Sequence, residues 1–213
     1  MTLNLGTFGP DPQLEWLSGP PDRLMRLLRD FWYDDPNGRR WLAPAGGITD
    51  GASIPAPLWS SIGSPFTGPY RRAAIVHDAA VDAAGVARFD ADHMFYRACL
   101  AGGCAPGQAD LLYAGVRIGA WLPRVRFWAS DLAAQPTLAA RSQSLAAEPG
   151  PTPLLAPYPA LEPTLAGESM RLTLREIAAD LATRPAADQS FANMAAVVER
   201  HLAAKASQQP SNI

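Results

Sequence analysis

The stretch Arg71-Arg72-Ala73-Ala74-Ile75-Val76-His77-Asp78-Ala79-Ala80 decides the fold. It is Ala-rich, has Pro69 just before it and Gly85 beyond it, and predicts a helix over 70–84. Almost every side chain on it is small and apolar except His77 and Asp78. Adjacent residues on a helix project about 100° apart. These two therefore cannot partner one another, and each must meet a different element.

The sequence after this stretch continues as helices. Asp90 is placed to cap a second helix over 91–101, closed by Gly102-Gly103. Pro106 opens a third, running to Leu122 and stopped by Pro123, with Leu111, Tyr113-Ala114, Ile118 and Leu122 on its periodic face. On the second helix Asp92 shares a stripe with Phe95, Tyr96 and Cys99. A carboxylate on an apolar stripe needs a partner. If the first two helices pack antiparallel across Gly85–Phe89, Asp92 faces His77. A carboxylate at one imidazole nitrogen fixes the tautomer and raises basicity, so the other nitrogen is able to deprotonate a water. The structural alternative is a buried ion pair of Asp92 with Arg88 or Arg72. His93 and His201 are expected to be exposed. The aromatics Phe31, Trp32, Tyr33, Trp59, Trp121 and Trp128 read as core and rim.

Asp78 is expected to point toward the loop Gly63–Gly68. A carboxylate with backbone carbonyls suits a hard cation such as calcium, and Asp50 is a further oxygen donor. Asp50 also fits the simpler role of capping its own turn.

Before the first helix, Leu24–Tyr33 and Arg39–Ala43 flank the turn residues Asp34-Asp35-Pro36-Asn37-Gly38, which predicts a β-hairpin. Residues 1–23 read as an irregular lead-in. Gly46-Gly47 and Gly51 mark a second bend, and Ile54-Pro55-Ala56-Pro57 reads as extended. The class is α+β: a small β-hairpin region packed on an antiparallel helical core over 24–130.

Beyond the core, 131–167 reads as a Pro/Ala-rich linker, with seven prolines between Leu132 and Pro163. A C-terminal helical segment follows over 168–206, and 207–213 is a tail. Thr173-x-x-Glu176 fits a capping box, with Leu172 and Ile177 as a hydrophobic staple. That helix is expected to end at Arg184-Pro185. A last helix over 189–206 puts Phe191, Met194, Val197-Val198 and Leu202 at helical spacing. Two such helices bury little alone, so they are expected to dock on the core, on a partner, or on a second copy.

Composition excludes several classes. The chain has 213 residues, 18 Lys+Arg against 20 Asp+Glu, and only 18% charged residues. A near-neutral balance gives no nucleic-acid footprint. A helix-turn-helix over 173–200 is disfavoured because its basic residues are few: Arg175, Arg184 and Arg200. No apolar run reaches the ~18 residues of a membrane span. The N-terminus shows no basic or apolar leader, so no signal peptide is visible, and the expected location is a host cytoplasm or an assembled particle. Cys99 and Cys104 are read as reduced thiols.

A family pattern emerges from the combination. Gly47-x-Thr49-Asp50-Gly51-Ala52-Ser53-Ile54-Pro55, then Leu58-Trp59, then Gly68-x-Tyr70-x-x-Ala73-Ala74-Ile75-x-His77-Asp78, then Arg88-x-x-Ala91-Asp92-x-x-Phe95, resembles the DUF1353 family of small bacterial and phage proteins. The resemblance covers residues 24–122. One departure is Val81, where the family usually carries an aromatic. A more distant resemblance is to secreted phospholipases of the A-two type. It implies His77 as general base, Asp92 as its orienter, and Asp78 as a calcium ligand, with a lipid or envelope ester as substrate. Two functions follow as expectations. One is a calcium-dependent hydrolase. The other is a non-enzymatic virion or tail accessory protein in which the same residues form a buried network.

Overall fold

The computed structural model describes residues 4–18, 24–64, 67–120, 165–185 and 190–208. The expected α+β class is found. Two three-stranded antiparallel sheets precede the helices. One has the order β1 (Thr7–Phe8), β4 (Phe31–Asp34), β5 (Arg40–Ala43); the other has the order β2 (Leu14–Trp16), β3 (Met25–Leu27), β6 (Ile48–Thr49). The predicted hairpin is β4–β5, in register Phe31↔Ala43 and Tyr33↔Trp41. Its turn is closed by Asp35, whose Oδ1 accepts from the Asn37 amide at 2.8 Å and the Arg39 amide at 3.1 Å. Phe31, Tyr33, Trp41 and Ala43 are buried, so alternate residues of both strands face the core.

The lead-in is more ordered than expected. Thr7–Phe8 pairs with β4 and Leu14–Trp16 pairs with β3. Strands of two or three residues carry no period a sequence can show; tertiary pairing supplies them.

A 3-10 turn (Ala56–Leu58) and a one-turn helix α1 (Trp59–Ile62) lead to α2 (Arg71–Asp82), α3 (Arg88–Ala101) and α4 (Pro106–Ala120). Helix α2 lies against β4, β5 and β6 on one side and against α3 on another. It stops at Asp82, earlier than expected, because Ala83 is already extended (ψ 131°). Helix α3 starts earlier, at Arg88, with Ala87 at its N-cap. Asp90 therefore sits inside the first turn, where a carboxylate still opposes the positive end of the helix. The turn between α3 and α4 passes close to the start of α2. A Cβ on Gly102 would meet the Pro69 carbonyl oxygen at 2.5 Å, so only glycine fits.

Helices α5 (Leu165–Ala182) and α6 (Phe191–Gln208) pack on each other and on α4. They dock on the core, one of the expected alternatives. Helix α5 begins eight residues before the expected capping box. Thr173 is mid-helix, and its hydroxyl donates to the Ser169 carbonyl at 2.8 Å, the back-bond open to a helical threonine. Only Leu165–Gly167 of the expected linker is described, and it is helical. The rest of that linker, with Trp121, Leu122, Trp128 and Pro123, and the tail from Gln209 on lie outside the described residues. Among the described residues no helix is long and apolar enough to cross a membrane.

Candidate functional site: a buried histidine–carboxylate cluster and a carboxyl at its edge

His77 lies five residues before the end of α2, and Asp92 four residues after the start of α3. The two positions are nearly equidistant from the connecting loop, so when α3 folds back on α2 they meet. His77 Nε2 and Asp92 Oδ1 are 2.7 Å apart, and neither side chain has any solvent exposure. Phe95, one turn further along α3, lies against the imidazole at 4.7 Å between ring centres.

Asp92 is held on several sides. Arg88 Nε donates to Oδ1 at 2.8 Å, and Arg117 Nη1, from α4, donates to Oδ2 at 2.9 Å. Arg88 also reaches the Val116 carbonyl at 3.2 Å. The structural alternative for Asp92 is thus met by Arg88 together with Arg117. Arg72 instead lies over the Phe8 ring, 4.7 Å from its centre. Burial works to raise the Asp92 carboxyl, but the His77 hydrogen bond, the His77 and Arg88 charges and the Arg117 hydrogen bond outweigh it and hold the pKa below its ordinary value. An ionised carboxylate between two guanidiniums can only accept, so His77 carries its proton on Nε2.

The chain of charge continues outward. Arg117 Nε and Nη2 grip Glu199 of α6 at 2.6 and 3.0 Å, a two-pronged contact. Burial opposes the Arg117 charge; Glu199 and Asp92 more than offset this and raise its pKa. His77, Asp92, Arg117 and Glu199 therefore tie α2, α3, α4 and α6 together. Arg117 and Glu199 were not singled out from the sequence. Arg117 is simply a basic residue late in the third helix, and nothing local marks which helix it will meet.

Asp78 goes elsewhere, but not to the expected loop. It turns to the bend after β6. Thr49 Oγ1 donates to Asp78 Oδ2 at 2.6 Å and Ser53 Oγ donates to Oδ1 at 2.7 Å. Gly51, at φ +91°, makes the bend that brings both hydroxyls to one carboxyl. Its amide also donates to Thr49 Oγ1 at 3.2 Å, so Thr49 steadies this turn. Burial first, then the nearby Asp50 charge, push the Asp78 carboxyl up to about 8, against the two hydroxyl donors. Asp50 and Asp78 are both half-buried. All donors here are oxygens, the kind a hard cation takes. Among the described residues no group of three or more His, Cys, Asp or Glu side chains is arranged to hold a metal ion.

The other sequence candidates fall outside this cluster. His93 is half-buried, not exposed; it stacks on Phe191 at 3.7 Å between ring centres, tilted by 7°. Burial and then Arg97 push its pKa down to about 4. His201 is likewise half-buried, with Nε2 2.8 Å from Asp180. Cys99 and Cys104 are buried free thiols.

The comparisons agree with the motif reading. Residues 25–116 match the model of a family described as "Protein of unknown function (DUF1353)". The chain is similar to an uncharacterized protein, y4jT, of Sinorhizobium fredii (strain NBRC 101917 / NGR234), with 38% identity over 108 residues, 51% of this chain and 32% of the relative. It is also similar to the uncharacterized protein y4iH of the same strain, with 39% identity over 98 residues, 46% of this chain and 41% of the relative. The matched part thus spans well under half the length of either relative. No solved structure matches. The motifs Thr49–Pro55, His77-Asp78 and Arg88–Phe95 all lie inside the segment that matches the DUF1353 model.

Proposed function

We propose that this protein is a non-enzymatic accessory component of a phage or prophage assembly, in which His77 and Asp92 clamp the helices instead of handling substrate. The observation that carries the non-enzymatic part is burial. A general base must touch the proton it abstracts, directly or through one water, yet His77 and Asp92 are wholly shielded. Asp92 is also saturated by three donors, a state that suits a clamp across four helices. The phage setting rests on the resemblance to DUF1353. Incubation of the full chain with phospholipid and simple ester panels, with and without calcium, tests the first part; no turnover is expected. Turnover that disappears in His77→Gln, with the variant still folded, contradicts it. Co-sedimentation with assembled particles tests the second part. Recovery solely as free protein contradicts it.

A second reading is favoured by one distance. The 2.7 Å contact between His77 Nε2 and Asp92 is the geometry that orients an imidazole for base catalysis. In that reading the protein is a calcium-dependent ester hydrolase of lipid or envelope. Asp78 and Asp50 would hold the ion with the Thr49 and Ser53 hydroxyls, and a bound cation there supplies positive charge for a developing oxyanion. His77 would have to become accessible by movement of a neighbouring element. A calcium titration that shows saturable binding, lost in Asp78→Asn, supports this reading; no binding at millimolar calcium removes it.

A further inference from the structure

Helix α3 ends in a way that brings two cysteines together. Gly102 is its C-cap, and Gly103, at φ +98°, turns the chain back. The Gly103 amide donates to the Leu100 carbonyl at 3.0 Å, and the Cys104 amide donates to the Cys99 carbonyl at 3.0 Å. This pair of bonds is the Schellman motif, in which the side chain after the turn commonly packs on the one that opens it. Those two positions are Cys99 and Cys104, both free and buried in the core. The amide-to-carbonyl bond of 3.0 Å keeps their Cα atoms within about 7 Å, the outer limit for a disulfide.

The contact is sulfur to sulfur: the Cys99 thiol donates to Cys104 Sγ. The two thiols are unequal. Cys99 has no exposure, and Cys104 keeps 6%. Burial first, and then the bond to Cys104, push the Cys99 thiol well above its ordinary value. The same bond lowers Cys104, against the smaller effect of burial. The thiolate, not the thiol, is the nucleophile. The sulfur nearer to solvent is therefore the one suited to attack, with a second sulfur beside it. The turn is also held from outside, since Gly102 backs onto the Pro69 carbonyl oxygen with no room for a Cβ.

We propose that Cys99 and Cys104 are an oxidisable dithiol, a site that takes a small hydroperoxide and closes into an intramolecular disulfide across the α3–α4 turn. The proposal rests on the geometry of this turn and is independent of the reading of His77. The Cys104 thiolate attacks one peroxide oxygen. An S–O bond forms, the O–O bond breaks, and the leaving hydroxide takes the proton that Cys104 gave up, becoming water. The Cys99 thiol then attacks the sulfur of the resulting sulfenic acid. The S–S bond forms, the S–O bond breaks, and the departing hydroxyl leaves with the Cys99 proton as a second water. Two thiols are oxidised and one peroxide is reduced to two waters. The narrow access to Cys104 selects a small peroxide over a bulky disulfide.

Peroxide treatment of the native full chain tests this. The reduced protein is exposed to hydrogen peroxide, then denatured and alkylated. Trypsin cuts after Arg97 and Arg117, so both cysteines fall in one peptide, 98–117. The expected product is that peptide, lighter by two hydrogen atoms and free of alkyl groups, restored to its doubly alkylated form by prior dithiothreitol. Bridging is expected to outpace deuterium exchange of the α3 amides, as it must if it occurs in the folded chain. In Cys99→Ser, Cys104 is expected to stop at the sulfenic acid, captured by dimedone. In Cys104→Ser, Cys99 is expected to remain an alkylable thiol. The parent chain decides the proposal even where a variant fails to fold. Four results would overturn it. They are a doubly alkylated peptide after peroxide, a bridge between two chains instead of within one, bridging no faster than α3 amide exchange, and dimedone capture at Cys99 in folded Cys104→Ser.

Discussion

Asp92 carries the largest consequence of any single side chain. Three cationic or N–H donors converge on a carboxylate with no exposure. Asp92→Ala leaves two guanidiniums and an imidazole facing an uncompensated cavity. Breaking one member of a buried ion network costs about 3–5 kcal/mol, and we expect a loss of that size in urea unfolding. Asp78 has the opposite character. Its folded pKa of about 8 lies above its ordinary value of 3.8. Between those values the folded state holds a proton that the unfolded state has released, so this group lowers stability as pH rises from 4 to 8. Asp78→Asn removes that dependence. Its unfolding free energy relative to the parent should therefore climb steadily across this window and level off above it; a flat difference would contradict the assignment. The His77–Asp92 contact was legible in the sequence because the two positions sit symmetrically about a short loop. The destination of Asp78 was not, because two loops lay within its reach. The choice between them came from the Gly51 bend and the Thr49 and Ser53 hydroxyls.

Among the elements, α2, α3, α4 and α6 were legible to within a few residues, since composition and punctuation mark them. Their ends were less so. Thr173-x-x-Glu176 has the form of a helix start, yet α5 runs straight through it. A threonine hydroxyl satisfied by the carbonyl four residues back has no need of a cap role. Strands β1 and β2 were illegible, being too short to show alternation. The closest approach between elements is a further test. With its would-be Cβ 2.5 Å from the Pro69 carbonyl oxygen, Gly102 lets the α3–α4 turn sit against the start of α2. Gly102→Ala should force the two apart and cost on the order of 1–3 kcal/mol, as overpacking does. A variant as stable as the parent would show that the approach is not tight.

For the whole molecule, the core is assembled in two steps of different character. Residues 25–116 supply both sheets' inner strands and helices α2–α4, and α5–α6 closes the outer face of α4. Ile177 is fully buried in that closure. Ile177→Ala should cost about 2–5 kcal/mol, with faster amide exchange over 165–208 before any change over 71–82. Equal change in both regions would mean that α5–α6 and residues 25–116 open only together. That the C-terminal helices dock on the core was one of the alternatives open to sequence reasoning. The Arg117–Glu199 link was not, because it joins residues from parts of the chain that no local pattern relates.

The central claim is that His77 is sealed within a clamp, and the most direct measurement is its reactivity. Diethyl pyrocarbonate modification of the folded full chain, read residue by residue by mass spectrometry, compares His77 with the half-buried His201. The clamp predicts modification of His201 while His77 stays unmodified until the protein is unfolded. Modification of His77 in the native state at a rate near that of His201 would contradict the clamp and return the site to catalysis.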